Sequence, residues 1–322
     1  MTSGLIIATL AAFTVTALLA KRFIPLLMSK KLGQPIKEIG PRWHKSKEGT
    51  PVMGGLFFIV GGAVALCVSF FICEKDQLVR IWITYLAAVL FGAIGMVDDL
   101  TKLLKHSNDG LKIHQKLLLQ TLVAGIYLFA MAKLGYIYTS VYIPFLHTEI
   151  ELGWAFFPLA IIFVVGTDNA VNFTDGVDGL ASGVTAVVCA FFAAAAIRES
   201  IPSAALISCA VFGGCVGFLV YNANPARIFM GDTGSLFLGG ITVGLSFLIG
   251  SPLVIVICGI VYYVELITVA LQIASFKLFG KRIFPMTPIH HSFEMAGWSE
   301  KKIDFVFCSV TLALSLVAYF FA

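Results

Sequence analysis

Five carboxylates stand where long apolar segments of this chain begin or end, and these residue types could bind a metal ion and phosphate together. They are Asp98, Asp99, Asp175, Asp178 and Asp232. Carboxylates are costly close to hydrocarbon, so membrane proteins keep them there mainly at functional sites. The adjacent pair Asp98-Asp99 should hold a cation or have one raised pKa, because the two charges repel each other; the plain alternative is a solvated helix end. One shared site requires that all five lie on the same face of a membrane.

The segment NAVNFTDGVDGLASG (169–183) carries the second pair of carboxylates. It sets two Asn and two Asp at short intervals, and Gly176 and Gly179 allow tight turns. It is neither an EF-hand loop nor a P-loop, because the Glu at loop position 12 and the GK[ST] ending are absent. A solvated turn is the alternative, but a polar run between two apolar segments favours a site.

Asp232 lies in YNANPARIFMGDTGSLFLGG (221–240), directly before Thr233-Gly234-Ser235 and another apolar segment. Asp, Thr and Ser are all good helix N-caps, which is the structural interpretation. The functional one is that the first amides of the helix favour phosphate while Asp232 presents oxygen to a metal ion. Hard oxygen donors with few soft ligands nearby suit Mg²⁺.

Basic and histidine-rich segments accompany the carboxylates. PRWHKSKEGTPVMGG (41–55) is basic, and KRIFPMTPIHHSFEMAGWSE (281–300) contains a His pair, for which phosphate contact or proton handling competes with a structural role. Glu265 alone lies well inside an apolar segment. We predict that it pairs with another helix rather than taking part in catalysis.

The elements that must position these groups are transmembrane helices. The 322 residues are 59% hydrophobic and 12% charged, with a mean hydropathy of +0.94, which indicates an integral membrane protein. The composition predicts an all-α fold, a single polytopic domain over 1–322 with about ten spans in one bundle. The segment 136–153 alternates as a strand does, which predicts a short extracellular β-hairpin. The ten spans are 3–20, 52–73, 81–97, 117–134, 154–168, 180–197, 202–220, 234–249, 252–276 and 303–321.

The basic residues predict the orientation. Lys21-Arg22 follows the first apolar segment and no basic residue precedes it, so the amino terminus should be outside. The five connections that are then cytoplasmic hold 18 of the 22 Lys and Arg, and both termini are extracytoplasmic. These connections are 21–51, 98–116, 169–179, 221–233 and 277–302.

Every unusual polar cluster therefore falls on the cytoplasmic face. A transporter would spread ionisable residues through the middle of the membrane, so this layout favours an enzyme at the interface. The net charge of +4 is explained by topology and contact with anionic lipid, with no nucleic-acid partner. The residues alone predict a membrane-embedded, Mg²⁺-dependent enzyme that acts on phosphate esters.

The order of the motifs resembles a known family. HKSKEGTPVMGG, the pair at 98–99, GLKIHQKLLLQ, NAVNFTDGVDGLA, NANPARIFMGDTGSLFLGG and SFKLFGKRIFPMTPIHHSFE follow one another over about residues 40–300. Together they resemble the phospho-N-acetylmuramoyl-pentapeptide-transferase (MraY) family of the polyprenyl-phosphate N-acetylhexosamine-1-phosphate transferase superfamily. The PIHHxFE segment preceded by KRIF points to the muramoyl branch.

This resemblance implies a reaction, a cofactor and a set of roles. Phospho-MurNAc-pentapeptide would move from UDP-MurNAc-pentapeptide to undecaprenyl phosphate in the bilayer of the bacterial cytoplasmic membrane, giving lipid I and UMP with Mg²⁺. Asp232 would ligate the metal, Asp98 and Asp99 would sit beside the lipid phosphate, and His290 completes the catalytic set. The implied substrate-binding residues are Lys47 and Phe229 at the uridine, Lys116 at phosphate, Asn172, Asp175 and Asp178 at the nucleotide, and Asn222 and His291 in the rest of the pocket.

Two departures from the family pattern and two mechanisms stay open. Ser292 replaces the third His of PIHHHFE and Val52 replaces the second Thr of GTPTMGG, and neither change touches a carboxylate. The lipid phosphate either attacks the β-phosphorus directly, with Asp98 handling its proton, or an Asp forms a covalent intermediate. We favour direct attack, because phosphate is already a competent nucleophile.

Two rival functions remain at this point. One is a sibling transferase that uses UDP-GlcNAc, against which the HHSFE segment argues. The other is a non-catalytic lipid or nucleotide transporter. The sequence also leaves open whether the protein is a monomer or a homodimer.

Overall fold

The computed structural model describes residues 2–29, 47, 49–105, 107 and 109–321. Most of the first predicted cytoplasmic connection, including the basic residues of 41–46, lies outside the described residues. The described chain is helical throughout except for one short strand pair and the connections. Its helices are α1 (Thr2–Ser29), α2 (Gly55–Leu66), α3 (Ser69–Ile72), α4 (Lys75–Lys105), α5 (Ile113–Lys133), α6 (Phe156–Thr174), α7 (Leu180–Arg198), α8 (Pro202–Asn222), α9 (Gly231–Leu248), α10 (Val254–Cys258), α11 (Ile260–Phe279), α12 (Ile289–Met295) and α13 (Glu300–Phe321).

Nine helical segments of the described chain are long and apolar enough to cross a membrane. They are α1, α2 with α3, α4, α5, α6 with the short 3-10 turn before it, α7, α8, α11 and α13. The remaining predicted span, 234–249, is also helical and corresponds to α9. The prediction of an all-α membrane protein with about ten spans is therefore confirmed, while the orientation of the termini stays a prediction.

Helix α9 forms the centre of the bundle. Every residue from Thr233 to Leu248 is buried, and α9 packs against α2, α4, α6 and α7. Small residues permit this close packing, as is usual where membrane helices meet. A Cβ on Gly95 of α4 would lie 2.6 Å from the Thr233 backbone nitrogen, and one on Gly234 would lie 2.9 Å from the Gly55 Cα. The ends of α4 and α9 consequently lie directly against each other.

Several predicted spans differ in their bounds from the observed helices. Helix α1 continues from the predicted end at residue 20 to Ser29, and α6 continues from residue 168 to Thr174, so that Asn172 lies in a helix rather than in a connection. The span predicted over 252–276 is broken at Gly259, which separates α10 from α11. The span predicted over 52–73 begins at Gly55 and turns between α2 and α3. Helix α4 continues beyond the predicted end at residue 97 to Lys105, because an i,i+4 ion pair between Asp98 and Lys102 supports another turn. Asp98 and Asp99 therefore lie within a helix.

The predicted hairpin is present as two short strands. β1 (Ser140–Ile143) pairs antiparallel with β2 (Thr148–Glu151), with Ser140 opposite Glu151 and Ile143 opposite Thr148. The strand pair lies within the predicted segment 136–153. Its extracellular location stays a prediction.

Candidate active site

The ends of α4, α6 and α9 and the turn between α6 and α7 surround a cavity of about 280 Å³, which we call the carboxylate cavity. Eight of the residues predicted to be catalytic or substrate-binding line this cavity, so motifs far apart in the chain do meet in one place. The lining residues are Lys47, Val52, Asp99, Lys102, Asn172, Asp175, Gly176, Val177, Asp178, Asn222, Phe229, Gly231 and Asp232.

Three carboxylates form a cluster beside this cavity, of which Asp99 and Asp232 line it and Asp98 does not. Asp98, Asp99 and Asp232 each place one carboxylate oxygen within 4.8 Å of the others. Asp98 and Asp99 come from the buried side of α4, and Asp232 comes from the first turn of α9. The close contact of α4 with α9 therefore builds the cluster.

Asp99 caps helix α9 from a neighbouring helix. Its Oδ1 accepts a hydrogen bond from the Asp232 backbone nitrogen at 3.1 Å, and its Oδ2 accepts from the Thr233 nitrogen at 2.9 Å and from Thr233 Oγ1 at 2.7 Å. The first amides of a helix lack partners within the helix, and a negative charge there is favourable. Asp99 thus fixes the position of Asp232.

Two lysines neutralise Asp232. Its Oδ2 lies 3.0 Å from Lys116 Nζ and 3.2 Å from Lys102 Nζ, and its Oδ1 accepts from Asn172 Nδ2 at 3.1 Å. Burial by itself would raise the pKa of Asp232, but Lys116 and Lys102 outweigh it and hold this pKa well below its usual range. The two ammonium groups therefore favour the ionised form of the Asp232 carboxylate.

Asp98 binds the same ammonium group. Lys102 Nζ lies 2.6 Å from Asp98 Oδ2 and so bridges Asp98 and Asp232. Asp98 Oδ1 accepts from the Leu111 backbone nitrogen at 2.6 Å, which ties the connection after α4 to the site. The point between Asp98 and Asp232 is thus one where positive charge is stable.

The turn after α6 holds two carboxylates in different states. Burial, followed by the negative charges of Asp232, Asp99 and Asp178, raises the pKa of Asp175 to about 8. Asp178 instead lies 2.7 Å from Lys47 Nζ and accepts from the Ala226 backbone nitrogen at 2.9 Å. The raised pKa favours the protonated form of Asp175 at neutral pH, and Asp178 forms an ion pair with Lys47.

Lys47 is held by two carboxylates rather than one. Its Nζ lies 2.7 Å from Asp178 Oδ1 and 2.7 Å from Glu300 Oε2, and Glu300 also accepts from the Asp178 backbone nitrogen at 3.1 Å. The first turn of α13 therefore supports the turn after α6. Sequence reasoning did not single out Glu300. The feature of the sequence that could have identified it is an acidic residue at the start of a helix, directly before Lys301-Lys302.

Asn222 and Phe229, at the end of α8 and in the segment before α9, also line the carboxylate cavity. Asn222 accepts from Ser182 Oγ at 2.8 Å and donates to the Ile228 carbonyl at 3.0 Å, which fixes the segment between α8 and α9. The Phe229 nitrogen donates to the Pro51 carbonyl at 2.9 Å, and the half-buried ring faces the cavity. The predicted stacking role of Phe229 is compatible with this placement.

The two histidines are not among the cavity-lining residues. His290 is fully buried, its Nδ1 lies 3.1 Å from Glu265 Oε1, and its ring packs behind Gly176. His291 lies 2.6 Å from Glu294. The pairing predicted for Glu265 is thus present, with α12 as the partner element. The catalytic role predicted for His290 stays a prediction, and its contact with the cavity runs through Gly176.

Lys102 is the principal site residue that sequence reasoning missed. It follows Asp98 by four residues, which is one helical turn and brings the two side chains together. This spacing indicates a pair only within a helix, whereas the sequence predicts a connection that begins at residue 98.

Fold and site together define a polytopic membrane protein with a carboxylate and lysine cluster at one end of its helix bundle. The sequence model of glycosyl transferase family 4 matches residues 81–250, which contain all five carboxylates. Phospho-N-acetylmuramoyl-pentapeptide-transferases from Clostridium novyi (strain NT), Clostridium perfringens (strain SM101 / Type A) and Clostridium kluyveri (strain NBRC 12016) are 40%, 42% and 41% identical to this chain. Each alignment covers 98% of this chain, and it covers 96%, 96% and 98% of these relatives respectively. The chain belongs to the phospho-N-acetylmuramoyl-pentapeptide-transferase family.

Proposed function

We propose that this protein transfers phospho-MurNAc-pentapeptide from UDP-MurNAc-pentapeptide to undecaprenyl phosphate, releasing UMP and forming lipid I for peptidoglycan synthesis. The observation that carries the proposal is a cluster in which Asp98, Asp99 and Asp232 meet Lys102 and Lys116; three of these residues, Asp99, Lys102 and Asp232, line the carboxylate cavity. Two phosphate-bearing substrates repel each other, and a cluster of fixed lysines lowers that repulsion. Identity of about 40% over nearly the whole chain to named transferases supports the same reaction.

We also propose that Mg²⁺ is the cofactor. The donor set fits this ion, because the cluster consists of carboxylate oxygens, and among the described residues no Cys or His belongs to it. Asp232 would hold the ion, with Asp98 as the nearest further ligand. When bound, the ion would neutralise charge on the diphosphate and polarise it toward attack.

The contacts of the carboxylates support direct attack. Both oxygens of Asp99 accept hydrogen bonds from the first turn of α9, which gives this carboxylate a structural role rather than that of a nucleophile. Asp98 lies beside the ammonium group of Lys102, where it can take part in handling a proton of the lipid phosphate. In the direct route an oxygen of the lipid phosphate bonds to the β-phosphorus, and the bond to UMP breaks. Asp98 then orients or accepts the proton of the lipid phosphate, while Lys102 and Lys116 offset negative charge on both reactants.

We further propose that the site faces the cytoplasm of the bacterial inner membrane. The predicted cytoplasmic connections contain most of the basic residues and all of the site. The nucleotide substrate would enter from the cytosol and the polyprenyl phosphate from the bilayer.

UMP release tests the proposed reaction. Purified protein in detergent should release UMP from UDP-MurNAc-pentapeptide only with both polyprenyl phosphate and Mg²⁺, and the lipid product should have the mass of lipid I. Asp232→Asn should lower the rate by about 100-fold or more, since it removes the charged ligand proposed to hold Mg²⁺ at the reacting phosphates. Asp76→Asn changes an exposed carboxylate in the first turn of α4, at the opposite end of that helix from the site, and should leave the rate unchanged.

Each failure has a different meaning. A lipid product formed with UDP-GlcNAc but not with UDP-MurNAc-pentapeptide would indicate the sibling reaction. No UMP release from correctly folded protein with either sugar nucleotide would favour a transporter. Exchange of labelled UMP into the sugar nucleotide without lipid acceptor would contradict direct attack and favour a covalent intermediate.

A further inference from the structure

A second set of polar side chains lies one helical turn deeper in the bundle than the carboxylate cavity. Asp168 of α6 and Gln120 of α5 are both 0% exposed, and neither lines the cavity. Asp168 Oδ2 accepts a hydrogen bond from Gln120 Nε2 at 2.7 Å, and Gln120 Oε1 accepts from Asn169 Nδ2 at 3.0 Å. A buried carboxylate inside a membrane helix is costly, which calls for a reason.

The spacing of these residues connects them to the site. Gln120 follows Lys116 by four residues on α5, and Asp168 precedes Asn172 by four residues on α6. Residues four apart lie on one face of a helix, about one turn from each other. Lys116 binds Asp232 Oδ2, together with Lys102, and Asn172 binds Asp232 Oδ1. The deeper pair thus joins the same two helices, on the same faces, as the pair that holds Asp232.

The central helix is shaped around the deeper pair. A Cβ on Gly239 of α9 would lie 2.6 Å from the Asp168 Cα and 2.5 Å from its Oδ1. Gly239 therefore lets α6 approach α9 at this depth. One turn nearer the cavity, Asn172 Nδ2 donates to Ser235 Oγ at 2.6 Å. The register of α6 against α9 is set at both levels.

We propose that Asp168 and Gln120 are positioning residues that fix α5 against α6 and so hold Lys116 and Asn172 on Asp232. This inference rests on the proposed function and adds to it a determinant outside the cavity. The amide of Gln120 has one permitted orientation, because its nitrogen donates to a carboxylate and its oxygen accepts from Asn169. The link is therefore directional, unlike apolar packing.

Four variants separate a positioning role from a contribution to stability alone. Asp168→Asn keeps an acceptor for Gln120, and we expect rates within about threefold of wild type. Gln120→Met and Asp168→Leu each leave one buried polar partner unsatisfied, and both thermal stability and turnover should fall. In the double variant Gln120→Met/Asp168→Leu neither partner is left unpaired, and Asn169 keeps its bond to the Val165 carbonyl at 2.8 Å. Its thermal stability should return toward wild type.

The double variant gives the decisive comparison. We expect its UMP release to stay about 10- to 100-fold below that of wild type although its thermal stability recovers. A loss of this size is usual when residues that orient metal ligands are replaced. Binding of Mn²⁺ as a substitute ion, followed by electron paramagnetic resonance without substrates, should be weakened by a similar factor. The control is the double variant Thr185→Val/Tyr262→Phe. It removes a buried hydrogen bond between α7 and α11 that is 2.7 Å long and whose residues do not line the cavity, and it should leave Mn²⁺ binding unchanged.

Recovery of turnover and Mn²⁺ affinity together with stability in the double variant would overturn the inference. The same conclusion would follow if wild type did not bind Mn²⁺. Wild-type protein that binds Mn²⁺ but releases no UMP would count against the proposed function only, because the metal titration tests the Asp168–Gln120 pair by itself.

Discussion

Identical side chains in this site have different tasks because their hydrogen bonds differ. Asp99 uses both oxygens on the first turn of α9, whereas Asp98 and Asp232 share the ammonium of Lys102. Asp99 thus acts through Asp232. Asp99→Ala should lower the free energy of unfolding by about 1–2 kcal/mol, the usual cost of losing a helix cap, and should reduce turnover as Asp232 shifts.

The measurement is thermal unfolding in detergent beside UMP release. Asp76→Ala, on the exposed end of the same helix α4, is the control and should change stability by less than about 0.5 kcal/mol. Lost turnover with unchanged stability in Asp99→Ala would make Asp99 a chemical group rather than a cap.

Asp175 predicts a pH dependence of the metal-free protein. Its pKa is raised from 3.8 to about 8, so between these values the folded protein binds this proton more tightly than the unfolded chain does. The stability contributed by this group is therefore lost progressively as pH rises from about 4 to about 8. In EDTA, Asp175→Asn should unfold at a higher temperature than wild type at pH 8, with the difference vanishing near pH 4. If the unfolding temperatures of wild type and Asp175→Asn differed by the same amount at every pH from about 4 to about 8, the raised pKa of Asp175 would not be the cause of the pH dependence.

At the scale of elements, the site depends on the contact between α4 and α9. Gly95→Ala places a methyl group against the Asp232–Thr233 peptide, where backbone cannot yield cheaply. Overpacking of this kind costs about 1–3 kcal/mol, and a shift of Asp232 by about 1 Å should lower turnover by up to about 100-fold. Gly166→Ala on α6 is the matched control, since its Cβ would meet nothing within 4 Å. Equal activity of the two variants would show that the α4–α9 contact does not set the site.

The elements also show how far sequence reasoning reaches. The apolar segments predict where the helices lie, and the order of the motifs predicts a shared site. Asn172, Asp178 and Phe229 do line one cavity. The Lys102 bridge was missed because it depends on α4 continuing for two further turns. The distance of His290 from the cavity was missed because it depends on how α12 packs behind Gly176. Hydropathy reports where a helix lies, whereas these contacts depend on which helices meet.

At the scale of the whole molecule, the side on which each terminus lies depends on α9. Nine described segments satisfy the apolar criterion for a span, and an odd number would place the termini on opposite sides. Helix α9 has 18 residues, about 27 Å at the usual rise, which is close to the thickness of a bilayer core. Because it is surrounded by protein, its polar and small residues do not face lipid, so low hydropathy is tolerated. We infer that α9 also crosses, which places both termini on one side.

Reporter fusions test this parity. Alkaline phosphatase joined after the last residue of the full chain should be active, because the carboxyl terminus is predicted to be extracytoplasmic. A fusion made after Gly297, before α13, should be inactive, and a fluorescent protein at the same two points should give the reverse pattern. A fluorescent protein joined to the amino terminus completes the test. Fluorescence at the carboxyl terminus but not at the amino terminus would mean that α9 does not cross. Fluorescence at both termini would instead mean that the whole bundle is inverted and that the carboxylate cavity faces outward.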